Sequence, residues 1–259
     1  MSNADITKPP LGLLNVLSQG LSILVKRLPL ILGIAMVLGI GLNLFNYVLF
    51  GDIMFSNPEA MFATTSGLIS YGVIVLASIV VSTLITAIIT LAAYDTYLGR
   101  PMRLGTYFSV GLKNFFILFA LSVITTIAMS IGMALLIVPG VILYLMWVVI
   151  VPSVVVEQAG FGALSRSREL TKGYRWPILG LMVILFVALI LIQSLLGALL
   201  GFGLTVMFTG TSGLFYMLFQ GAVSSISYAI YACIVVMLFA RLKEIKEGVG
   251  MSDLADVFS

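Results

Sequence analysis

Four cations stand close together in the segment EQAGFGALSRSRELTKGYRW: Arg166, Arg168, Lys172 and Arg175. Spacings of four and three residues put Arg168, Lys172 and Arg175 on one strip of a helix, with Ala163, Ser167, Leu170 and Tyr174 on a different face. Two guanidinium forks beside an ammonium suit the oxygens of a phosphate, because arginine donates in a planar, bidentate geometry and lysine acts as a point charge. Trp176 follows, an aromatic of the kind that settles at a membrane–water interface. The chemistry these residues supply is recognition of an anionic headgroup, each cation contributing about 1 kcal/mol and less at high salt. The plainer reading of the same residues is an interfacial anchor with no ligand preference.

Other chemistries lose their usual groups. Histidine is absent and Cys233 is the single cysteine, which removes His-based acid–base work, Ser-His and Cys-His nucleophiles, intramolecular disulfides and thiolate clusters. No metal site and no cofactor are expected. No Asp, Glu, Lys or Arg falls in the middle of an apolar run, so proton-coupled transport, voltage sensing and an intramembrane carboxylate catalyst lose support. A lipid-modifying enzyme is the weakest reading for the same reason. The expectation is a protein that is not an enzyme.

Milder polar groups recur inside the apolar runs. Ser78, Ser82, Thr86 and Thr90 share one helical face; Ser122, Thr126, Ser130 and Ala134 share another; Gly221, Ser225, Ala229 and Cys233 form a third. Gly197 and Gly201 make a GxxxG pair. Such faces let helix backbones approach closely, and helix packing is the expected role, with a polar solute path as the alternative. Asn43 and Asn46, near one end of the first run, bond to neighbouring helices or line an outward vestibule.

The elements that carry these residues follow from composition. Of 259 residues, 61% are hydrophobic and 9% charged, against about 45–50% and about 25% in soluble domains. A spanning helix needs about 20 apolar residues, and six runs qualify, near 28–50, 67–93, 115–138, 141–156, 177–206 and 214–240. The fourth is short: about 16 residues rise about 24 Å, less than a hydrocarbon core of about 30 Å, and Pro152 interrupts it. The whole chain, 1–259, reads as one integral membrane domain, all-α, with a cytoplasmic tail at 241–259. Ahead of the first run, residues 11–27 form an amphipathic helix in the interface plane rather than a cleaved signal, with Leu14, Leu17, Leu21 and Leu24 at a helical spacing that continues to Leu28.

Charge fixes the expected orientation. All thirteen Lys and Arg residues fall before the first run, between the second and third, between the fourth and fifth, or after the sixth. The opposite loops, 51–66, 139–140 and 207–213, hold no cation and only Asp52 and Glu59 as charges. By the positive-inside rule both termini are cytoplasmic. The partners expected are membrane lipids, with anionic headgroups on the cytoplasmic side, and a second copy or another membrane protein as a further class. Nucleic acid is not expected, since no recognition motif accompanies the basic loops.

Three segments, SILVKRLPLILG, SVGLKNFFILFA and LTKGYRWPILG, lead into apolar pairs. They suggest three helical hairpins, each preceded by a cytoplasmic interfacial helix. Pro139-Gly140 suits a tight turn between the third and fourth spans.

The stretch IVPGVILYLMWVVIVPSVVVEQAGFGALSRSRELTKGYRW resembles the signature region of a bacterial superfamily. It includes the membrane domain that accompanies some glycerophosphodiester phosphodiesterases and a related family of six-span inner-membrane proteins of unknown function. Pro139, Gly140, Pro152, Glu157, Ser167, Leu170, Lys172, Gly173 and Trp176 carry the resemblance. Relatives often bear a basic residue before the Trp of the fourth span, where this chain has Met146 before Trp147. The resemblance implies a bacterial inner-membrane location and no catalytic domain. The function expected is a scaffold, regulator or membrane-homeostasis factor in contact with anionic lipid, or alternatively a transporter or channel for a small or amphipathic solute.

Overall fold

A computed structural model describes residues 10–50, 64–198 and 213–248. The described residues form helices and turns without strand. α1 (Leu13–Lys26) is followed by α2 (Leu28–Phe50) and α3 (Thr65–Tyr97); α4 (Leu104–Lys113) by α5 (Phe115–Leu135), α6 (Ile137–Trp147) and α7 (Ile150–Val155). A single 3-10 turn (Gly160–Gly162) leads into α8 (Ala163–Thr171), then α9 (Arg175–Leu196) and α10 (Gly213–Glu247). A short helix thus precedes a pair of long apolar passes three times over. Six helical stretches are long and apolar enough to cross a bilayer, with α6 and α7 together making the fourth. The protein is an integral membrane protein.

α10 is the centre. Every residue from Ala232 to Phe239 is buried, which requires neighbours on all sides of the helix. α2 crosses it so closely that a Cβ on Gly221 would lie 3.0 Å from the Ile40 Cα and 3.2 Å from the Gly39 carbonyl oxygen. The expected packing role of Gly221 and Ser225 fits this contact: Ser225 is fully buried and donates to its own Gly221 carbonyl at 2.6 Å. The interfacial helix α1 also docks here. It buries Val16, Gly20, Ile23 and Leu24, and a Cβ on Gly20 would meet Ile234 at 2.9 Å. Leu14 and Leu21 of the expected leucine stripe are exposed instead. The face turned to protein is the one carrying the small residue, because only there can the two backbones approach.

Several expected boundaries move. Pro139 and Gly140 lie inside α6 rather than forming the turn, which is the single extended residue Leu136 (φ −161°, ψ 141°). Proline is tolerated there because N–H groups in the first helical turn have no intrahelical acceptor, so the one proline lacks is not missed. Gly140 instead permits close packing: a Cβ on Gly132 would lie 3.0 Å from the Gly140 Cα. The fourth span therefore gains a turn and runs over 19 residues, Ile137–Val155, a rise of about 28 Å that suits a bilayer core. It breaks at Val148–Val149, and Pro152 falls in the first turn of α7. The tail expected from residue 241 begins as helix, since α10 continues to Glu247.

The other small-residue faces fare differently. α5 buries Leu118, Leu121, Thr125 and Gly132, while Thr126 and Ser130 are exposed, so those two are not packing residues within the chain. Gly197 meets nothing within 4 Å among the described residues; Gly201 lies outside them. In helices that are apolar all round, the side turned to protein and the side turned to lipid carry the same hydropathy, and spacing alone does not separate them.

Candidate functional site

The short helices and the ends of α3 and α10 gather at one end of the bundle, and the charges gather with them. α8 is fastened there by its small face. Ser167 and Thr171 are fully buried, and Ser167 Oγ donates to the Met146 carbonyl at 2.7 Å. That carbonyl belongs to the last turn of α6, where the helix break leaves acceptors in need of donors. The serine of the SRSREL segment thus caps the broken fourth span.

With Ala163, Ser167, Leu170 and Thr171 turned inward, the outer face of α8 lines a cup of about 600 Å³ with Ser165, Arg168, Glu169, Lys172, Gly173, Arg175 and Trp176. The expected trio of cations is brought together, but not on one helix. α8 ends at Thr171; Lys172 is extended (φ −61°, ψ 122°) and Gly173 takes φ 89°. Only glycine adopts that left-handed backbone without strain, and the turn lets α9 start afresh at Arg175. The Lys246 ammonium holds the turn from behind, donating to the Lys172 carbonyl at 3.0 Å and sitting 5.8 Å from the centre of the Tyr174 ring. Trp176 stands 82% exposed at the rim.

Three cations face one carboxylate, Glu169, in this cup. Arg175 Nε is buried without a hydrogen-bond partner among the described residues. Burying such a donor unpaired is costly, and an acceptor brought against it would relieve that cost.

Arg166, on the other side of α8, belongs to a separate ion cluster. It donates to both Glu157 oxygens, at 2.7 and 2.8 Å, and to Glu247. Lys243 reaches Glu157 at 2.9 Å. Burial pushes the Glu157 carboxyl up, but the hydrogen bonds from Arg166 and Lys243 outweigh it and hold the carboxyl below its ordinary range. The Arg166 guanidinium is correspondingly raised, chiefly by its bond to Glu157. The cluster ties the loop after α7 and the helix α8 to the last turns of α10.

Sequence reasoning missed a buried carboxylate. Asp95, 6% exposed at the end of α3, accepts from the Tyr107 hydroxyl at 2.7 Å and lies 3.6 Å from Arg103. It locks α4 onto α3. Burial raises the Tyr107 phenol, and the bond to Asp95 raises it further. No periodic signal in the sequence marks this pair.

Asn43, read either as a helix-bonding residue or as lining a vestibule, bonds within its own helix. Its amide donates to the Gly39 carbonyl one turn back at 2.9 Å and lies against Gly221. The Asn46 side chain lies outside the described residues. The remaining polar faces meet in the membrane interior: Ser82, Thr86 and Thr90 of α3 face Ser122 and Thr126 of α5 across a cavity of about 290 Å³, with Ser78 half-buried on the same helix. No family model, curated protein or solved structure matches the chain.

Proposed function

We propose that this protein is a non-enzymatic membrane component, a scaffold, regulator or membrane-homeostasis factor, that works by holding an anionic lipid headgroup in the cup of Arg168, Lys172, Arg175 and Trp176. One observation carries the reading: the buried, unpartnered Arg175 Nε in a cup of three cations and one carboxylate. A phosphate oxygen supplies the missing acceptor, two guanidinium groups suit its geometry, and Trp176 suits the headgroup level. The positive-inside rule supports a cytoplasmic cup and cytoplasmic termini. The resemblance carried by Pro139, Gly140, Glu157, Ser167 and Gly173 supports a bacterial inner membrane. A second reading, a transporter or channel for a small or amphipathic solute, is favoured by the hydroxyl-bearing faces of α3 and α5 that meet around a cavity.

Ser165 is exposed at the cup and offers one test of both location and occupancy. In a Cys233→Ala chain, a Ser165→Cys thiol should resist an impermeant maleimide in intact cells and react after permeabilisation. In nanodiscs it should react more slowly in phosphatidylglycerol than in phosphatidylcholine. Labelling from outside intact cells would overturn the orientation, and equal rates in the two lipids would overturn the headgroup site.

A further inference from the structure

Midway along α3, two cavities share a wall. One, of about 290 Å³, lies between α3, α5 and the α6–α7 break and contains Thr90, Thr125, Tyr144 and Trp147. The other, of about 470 Å³, adds Gln193 of α9 and Ser224 and Ser227 of α10. Ser82, Thr83, Thr86, Val151 and Tyr231 belong to both. Their combined size falls in the range of small-molecule sites, about 300–1,000 Å³.

A row of hydroxyls alone marks ordinary helix packing. Thr90 is what sets this wall apart. It is 1% exposed, it lines the smaller cavity, and its Oγ1 has no hydrogen-bond partner among the described residues. The other hydroxyls show what the space lacks. Ser82 and Thr83 donate to the Ile79 carbonyl at 3.0 and 2.6 Å, Thr86 to Ser82 at 2.8 Å, and Thr125 to Leu121 at 2.8 Å. A hydroxyl that donates to its own helix keeps its lone pairs free, so these four hydroxyls present acceptors to the cavity. Among the described residues no charged side chain lines either cavity, and an ion inside a membrane without a counter-charge is heavily penalised. Leu118, Leu121, Val151 and Val154 form the apolar remainder of the smaller cavity.

We propose that this joint cavity is a binding site for an uncharged, alcohol-bearing molecule, whose hydroxyls donate to the Ser82, Thr86 and Thr90 oxygens. A free polyol and the diol end of a neutral glycerolipid carry the same chemistry. The site is distinct from the headgroup cup in place and in charge.

Trp147 reports on occupancy once Trp176 is replaced by Phe. Brominated monoacylglycerol titrated into nanodiscs should quench Trp147 saturably, whereas brominated fatty acid, which carries a carboxylate, should not. Relief by excess glycerol identifies the free polyol as sufficient; no relief identifies the lipid form, and both outcomes support the site. Thr90→Val keeps the shape and removes the hydroxyl, so the half-saturating concentration should rise about fivefold, the factor for one hydrogen bond of about 1 kcal/mol. Its thermal midpoint should hold or rise, because the hydroxyl it removes is unpaired. Absence of saturable quenching, quenching by the fatty acid to the same extent, or an unchanged half-saturation in Thr90→Val would each overturn the proposal.

Discussion

Gly221→Leu should lower the thermal midpoint in detergent by roughly 5–10 °C. The glycine sits where α10 crosses α2. Even a Cβ would lie 3.0 Å from the Ile40 Cα, 3.2 Å from the Asn43 amide nitrogen and 3.2 Å from the Gly39 carbonyl oxygen. Two of these neighbours are backbone and cannot rotate away. Leucine adds three further carbons, and overpacking of this kind costs about 1–3 kcal/mol in a well-packed interior. Close backbone approach is also what holds membrane helices together, since lipid supplies no hydrophobic drive between them. Gly33 on α2 is the control. It meets nothing within 4 Å, so Gly33→Leu should leave the midpoint within about 1 °C, as expected of a site without such a constraint. Equal losses at the two positions would show that helix propensity or expression, not the crossing, sets the effect.

The second large effect is expected at Glu157. Its carboxylate, with 14% side-chain exposure, accepts from Arg166 and Lys243. Glu157→Gln leaves both cations facing a neutral amide, with Glu247 as their remaining acid. Breaking a fully buried pair costs about 3–5 kcal/mol; with Arg166 and Lys243 26% and 31% exposed, solvent screening reduces this to about 2 kcal/mol. The pH dependence carries a sign. The folded Glu157 carboxyl is held below its ordinary range, so its stabilisation is fully present above about pH 4.5 and is lost as the pH falls through the folded value. The native protein and Glu157→Gln should differ at pH 7 and converge once the pH has fallen through the folded value. A gap that persists in acid would mean that shape, not charge, is what Glu157 supplies.

The cation trio and the cluster around Glu157 were not equally legible in the sequence. Arg168, Lys172 and Arg175 are close in the chain, and any local turn keeps them near one another. A helical count therefore brought them together, although the chain does it with a helix end, the Gly173 turn and a new helix. Glu157 and Lys243 meet only because α10 continues past the membrane, and hydropathy places the end of that helix too early. Asp95 and Tyr107 lie on separate helices joined by an unpatterned loop, and a single acid at a helix end carries no periodic signal. The six passes were legible for a different reason: backbone satisfaction in lipid allows little besides helix, so length and hydropathy suffice. What hydropathy does not distinguish is the lipid side from the protein side. Ser130 and Gly197 accordingly share the spacing of Ser82 and Gly221 without sharing their surroundings.

The most direct measurement of the central claim compares lipid retention by native mass spectrometry in two triple variants of equal charge loss. One replaces Arg168, Lys172 and Arg175 of the cup with Gln. The other replaces Lys26, Arg27 and Lys113, which neither line the cup nor pair with Glu157. Arg241, Lys243 and Lys246 are unsuitable for the comparison, because they hold Glu244, Glu157 and the Lys172 turn. If the cup recognises a headgroup, the first variant loses bound phosphatidylglycerol and cardiolipin at low collision energy, and the second keeps them as the native protein does. Equal losses from the two variants would mean that summed charge attracts the lipid, and the headgroup site would be contradicted.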